Sequence, residues 1–136
     1  MRRARLVAIV VLATALADWC LKAVARAAAH ESVFANPEPF SVASSVATWV
    51  PVLLCAALLC GVAGVNSIML FAFGLGVGGG LANELESRVL GEVTDFVRPG
   101  VFQDSIFAPA DLAMYAAAGL MLVGIGVWLA RILSAG

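Results

Sequence analysis

Two aspartates bracket a polar stretch near the C-terminal third of the chain. Asp95 lies in Gly91-Glu92-Val93-Thr94-Asp95-Phe96, and Asp111 follows Pro109 at the start of a long apolar run. If the stretch between them folds back, two like charges meet that cannot both ionise comfortably. One proton is then shared, so that one carboxyl is an acid and the other a base. Such a pair activates a water and protonates a leaving amine, the chemistry of two-carboxylate peptide hydrolysis. Two further pairs sit at helical spacing: Asp18 with Lys22, one turn apart, and Asn83 with Glu86, three residues apart. Taken alone, the first reads equally as charge neutralisation near an interface, with Lys22 snorkelling, and the second as a solvated helix end. No serine–histidine or cysteine–histidine arrangement competes, because the single histidine, His30, follows Ala27–Ala29 and reads as a surface residue. Cys20, Cys55 and Cys60 fall inside apolar runs and read as small buried hydrophobes rather than metal ligands. No metal or other cofactor is expected.

The elements that must position these groups are membrane helices. The chain has 136 residues, 62% hydrophobic and 12% charged, with a mean hydropathy of +1.02, which excludes a soluble domain. Apolar runs of about 18 residues or more mark spans. The pattern predicts a single all-α integral membrane domain, residues 1–136, with four transmembrane helices at about 4–28, 43–63, 67–87 and 111–132. The charge-free stretch from Pro39 to Asn83 is long enough for two crossings, and Gly64-Val65-Asn66-Ser67 supplies the turn between them. A second turn signal is Pro99-Gly100. Gly74 with Gly78, and Gly76 with Gly80, are four apart, spacing that lets helices pack closely in lipid.

Four crossings place both termini on one side, with Arg2, Arg3, Arg5 and Arg131 and no acids. All nine acids (Asp18, Glu31, Glu38, Glu84, Glu86, Glu92, Asp95, Asp104 and Asp111) fall on the other side, with Lys22, Arg26, Arg88 and Arg98. The basic N-terminus orients both termini to the cytoplasm of a cell (inner or plasma) membrane. Met1–Ala17 also has the form of a secretory signal peptide, but the apolar run resumes after Asp18, so it is read as a helix. A net charge of −1 argues against nucleic acid as a partner.

In order along the chain these residues resemble the signal peptidase II, or lipoprotein signal peptidase, family. Its Asp-x-x-x-Lys is matched by Asp18-Trp19-Cys20-Leu21-Lys22. Its Gly-rich Asn-x-x-Asp-Arg motif is matched by Gly79-Gly80-Leu81-Ala82-Asn83-Glu84-Leu85-Glu86-Ser87-Arg88. Gly91, then Val93-Thr94-Asp95-Phe96, and finally Phe107-Ala108-Pro109-Ala110-Asp111 complete the series. The resemblance implies four membrane helices and a small extracytoplasmic β-region over His30–Ser41. It implies Asp95 and Asp111 as catalytic dyad, with Asp18, Lys22, Asn83, Glu86, Arg88 and Asn36 in support. The implied substrate is a prolipoprotein whose lipid-modified cysteine follows the cleaved bond; membrane lipid is the surrounding partner, and the chain is expected to be a monomer.

Four positions depart from the family pattern. Ala108 stands where the family has Asn, Glu86 where it has Asp, and Ser87 where it has Arg, with Arg88 one position on. Asn36-Pro37-Glu38-Pro39-Phe40 is one residue short of the family's Asn-x-Gly-x-x-Phe and lacks its glycine. A lost orienting hydrogen bond at an active site costs orders of magnitude in rate. These changes raise the alternative of a catalytically impaired relative that binds lipidated peptides or a membrane partner. A transporter is the weakest reading, since the acids gather at one face and helices 2 and 4 have no charge in their interiors.

Overall fold

A computed structural model describes residues 2–28, 33–36, 42–62, 64–98 and 106–135, without the side chains of 42–47. The elements run α1 (Arg2–Ala27), β1 (Phe34–Asn36), α2 (Val42–Gly61), α3 (Ser67–Leu90), β2 (Val93–Asp95) and α4 (Pro109–Ser134). The protein is a helical membrane bundle with a small two-stranded sheet. α1, α3 and α4 are long and apolar enough to cross a membrane; the described side chains of α2 form a shorter apolar stretch, Thr48–Gly61. His30, Glu31, Glu38, the Pro99-Gly100 turn and Asp104 lie outside the described residues, as does most of the expected His30–Ser41 region.

α3 is the hub. Asn66 caps its start, the side chain accepting the Met69 N–H at 3.0 Å while its amide donates to Gly124 O at 2.8 Å. Glycines bring both neighbours close. A Cβ on Gly74 would stand 2.8 Å from Val10 Cβ of α1, and one on Gly78 would stand 2.7 Å from Thr14 Cβ. On the α4 side, a Cβ on Gly79 would lie 2.6 Å from Ala110 O. Close backbone approach of this kind stands in for a hydrophobic driving force between helices in lipid. α3 runs three residues past its expected end, to Leu90, and stops at Gly91, whose φ of 78° is a left-handed cap that glycine adopts without strain.

The helices turn apolar faces outward, as a bundle in lipid must. Cys20 and Cys55 are exposed on such faces and Cys60 is half-buried, so the expectation of buried cysteines fails. In a membrane, lipid rather than a protein core solvates small apolar groups.

Candidate active site

The C-terminal half of α1 delivers polar residues into the bundle on an i, i+4 stripe. Val10 and Thr14 pack on the α3 glycines, and one and two turns later come Asp18 and Lys22. Lys22 is fully buried and Asp18 nearly so. Neither is a snorkelling surface charge. Lys22 Nζ contacts Asp18 Oδ2 at 2.9 Å, Glu86 Oε2 at 2.7 Å and Asn83 Oδ1 at 2.7 Å. Those contacts use the three donors an ammonium possesses. Asn83 and Glu86 are therefore buried members of a network, not a solvated helix end.

Asn83 connects this network to Asp111. Because Lys22 can only donate, Asn83 turns its carbonyl toward Nζ, and its amide then donates to Asp111 Oδ1 at 2.8 Å. The backbone N–H of Ala108 donates to the other oxygen, Oδ2, at 2.9 Å. Asp111 is thus oriented on both oxygens without any side chain at position 108. Asp18 meanwhile accepts the Ala110 N–H at 2.8 Å, supplying from α1 the kind of acceptor that a polar N-cap residue would give α4.

The resemblance implied Arg88 as a supporting residue one position beyond the family's arginine, and the structure places it away from Glu86. Because α3 is still helical at position 88, Arg88 points back one turn to Glu84, its Nε and Nη2 lying 2.9 and 2.8 Å from Oε1. The guanidinium on Glu86 comes from Arg26, whose Nη1 pairs with Oε1 and also donates to Thr94 Oγ1 at 2.8 Å. Thr94 donates to Glu86 through its hydroxyl (2.7 Å) and its backbone N–H (3.2 Å). Arg26, Thr94 and the Trp49 indole N–H donated to Glu84 were not anticipated. Arg26 had a signal: it continues the Asp18, Lys22 stripe by one turn.

The chain between α3 and α4 doubles back. Val97 and Phe107 form an antiparallel bridge, with N–H to O distances of 2.9 Å in both directions. That bridge stands two residues after Asp95 and four before Asp111, and both carboxyls line one cavity of about 540 Å³. Asn36 lines it too. In the β1–β2 register Asn36 faces Val93, so Asp95 is its diagonal neighbour on the same side, and the two side chains hydrogen-bond. Asp95 is 8% exposed, and its Oδ1 has no hydrogen-bond partner among the described residues. Burial, and then the charge of Asp111, push the Asp95 carboxyl above the ordinary aspartate range; Asn36 pulls it down. Phe107 and Tyr115, in edge-to-face contact at 5.9 Å, also line the cavity.

The fold and this site define a membrane enzyme scaffold with paired carboxylates at one end of the bundle. A solved structure described as "Bacterial membrane enzyme structure by the in meso method at 2.3 A resolution" shares the fold, with a TM-score of 0.70, 17% identity, and coverage of 88% of this chain and 86% of that one. No curated protein matches the chain. The family model described as signal peptidase (SPase) II matches residues 21–127. The chain belongs to the signal peptidase II family, membrane-bound aspartic proteases of lipoprotein processing.

Proposed function

We propose that Asp95 and Asp111 are the catalytic dyad of a peptidase that removes the signal peptide from lipid-modified prolipoproteins. The carrying observation is that Asp95, at the end of β2, and Asp111, in the first turn of α4, line one cavity, the chain between them doubled back through the Val97–Phe107 bridge. Asp95, raised by burial and by its neighbour, carries the shared proton. Asp111, held by Asn83 and the Ala108 N–H, takes a proton from water as the water oxygen bonds to the scissile carbonyl carbon. The proton on Asp95 goes to the carbonyl oxygen. Collapse of the tetrahedral species breaks the C–N bond: the amine leaves with the proton held by Asp111, and one hydroxyl returns its proton to Asp95 as the new carboxyl forms. Asp18, Lys22, Asn83, Glu86, Arg26 and Asn36 act through these two by positioning; Arg88 acts on Glu84, outside that network.

An apolar groove of about 480 Å³ between α2, α3 and α4 supports a lipid-bearing substrate. It shares Met114 with the dyad cavity and runs past Val52, Phe73 and Met121, surfaces suited to hydrocarbon. The cluster Arg2, Arg3, Arg5 ahead of the first span supports cytoplasmic termini, with the dyad at the opposite face of the cell membrane. The test is cleavage of one precursor peptide with and without the diacylglyceryl group on its cysteine, by purified protein in detergent. The lipidated form should be cut and the bare form should not; equal cleavage of both would reject the substrate assignment.

A further inference from the structure

The end of the bundle away from the dyad holds a second cavity, also of about 540 Å³. Its rim carries Arg2 and Arg3 of α1 and Arg131 of α4, and its walls include Leu6, Leu70 and Val127. Leu70 is 3% exposed, so the apolar wall reaches into the bundle. The rim's arginines have no acidic partner among the described residues. Among the described residues every ion pair lies at the opposite end, on Asp18, Glu84 or Glu86. Arg3 spends one donor on the Val62 carbonyl, at 2.6 Å, a neutral acceptor that leaves its charge without an acid among the described residues. Arg5, exposed on the same helix, does not line the cavity.

Three guanidiniums above an apolar wall match a ligand that carries phosphate on hydrocarbon. A free phosphate would match the rim alone. We propose that this cavity binds the headgroup of an anionic phospholipid, its phosphate on Arg2, Arg3 and Arg131 and its upper acyl chain along Leu6 and Val127. Guanidinium forks fit phosphate oxygens two at a time, and basic pockets between membrane helices are natural seats for anionic headgroups. This site stands apart from the dyad and does not rest on the peptidase reading.

The test is native mass spectrometry of the full chain in neutral detergent, titrated in separate arms with dioleoylphosphatidylglycerol, dioleoylphosphatidylcholine and inorganic phosphate. Phosphatidylglycerol should bind at least roughly tenfold tighter than phosphatidylcholine, since each arginine near a headgroup contributes roughly fivefold. The triple variant R2Q/R3Q/R131Q should lose that preference, and Arg131→Gln alone should lose roughly fivefold, which serves if the triple variant fails to fold. Arg131→Lys should keep most of the preference and Arg5→Gln all of it. Equal binding of the two lipids would overturn the proposal, as would a loss in Arg5→Gln matching that of the triple variant. Saturation by inorganic phosphate at the lipid's affinity would also overturn it, marking a free-anion site.

Discussion

At Asn83 a single amide joins two networks. Its carbonyl answers Lys22 and its NH₂ answers Asp111, so the charge on Lys22 orients Asp111 without touching it. The expected loss at Ala108 is met in the same way, by backbone N–H and by Asn83 rather than by a side chain at that position. This answers one of the departures that motivated a non-catalytic relative; of the Asn36–Phe40 segment, residues 37–40 lie outside the described residues. Helical spacing put Asp18 with Lys22 and Asn83 with Glu86 on shared faces, but it was the family resemblance that implied a supporting role for them. Arg26 carried the stripe spacing but not its partner, and Thr94 carried no signal, because their contact joins residues 68 positions apart and no local rule reports such a separation. A pH prediction follows at Asp95. Its carboxyl is raised, so the protonated form, and any stability it confers, persists above the ordinary aspartate range and is lost as pH rises through the raised value. If that proton is needed, the alkaline limb of kcat/KM reports it. Asn36 lowers the value, so Asn36→Ala should move the limb to higher pH. A limb that stays in place or moves to lower pH would separate Asp95 from the acid role.

Between elements, the decisive dimension is the approach of α1 to α3. Lys22 reaches Asn83 and Glu86 only because Gly74 and Gly78 admit Val10 and Thr14 so closely. A methyl at Gly78 would meet Thr14 Cβ at 2.7 Å and the Val11 carbonyl at 2.8 Å, and a backbone atom has little room to give. Overpacking of this kind costs about 1–3 kcal/mol. Gly78→Ala should therefore lower the thermal midpoint in detergent by roughly several degrees and reduce cleavage. Gly126→Ala, where nothing lies within 4 Å, should do neither. Equal behaviour of the two variants would show that the close approach is not what positions Lys22. The glycine spacing made tight packing readable in advance. Which helix each glycine meets was not readable, since Gly74 and Gly78 face α1 while Gly76 and Gly79 face α4. The fold-back of the α3–α4 connection was required by the chemistry but not encoded by any strand pattern; the bridge is one residue wide on each side.

Over the whole molecule, charge is sorted by depth. Among the described residues the acids lie toward one end, where Asp18, Glu84 and Glu86 pair with Lys22, Arg26 and Arg88. Arginines without acidic partners among the described residues rim the other end. Hydropathy made the spans legible because lipid demands them, and the family resemblance rested on polar residues because those are the exceptions lipid tolerates only where they function. The central claim is that the two carboxyls sharing the cavity act together on one peptide bond. Its most direct measurement is single-turnover cleavage of a lipidated precursor by purified protein and by Asp95→Asn and Asp111→Asn, each checked for an unchanged thermal midpoint. Each variant should lose at least roughly 10³-fold in rate, as removal of a catalytic group does. A folded variant of either kind that cleaves within about tenfold of the parent, one factor of ten being about 1.4 kcal/mol of barrier, would contradict the dyad.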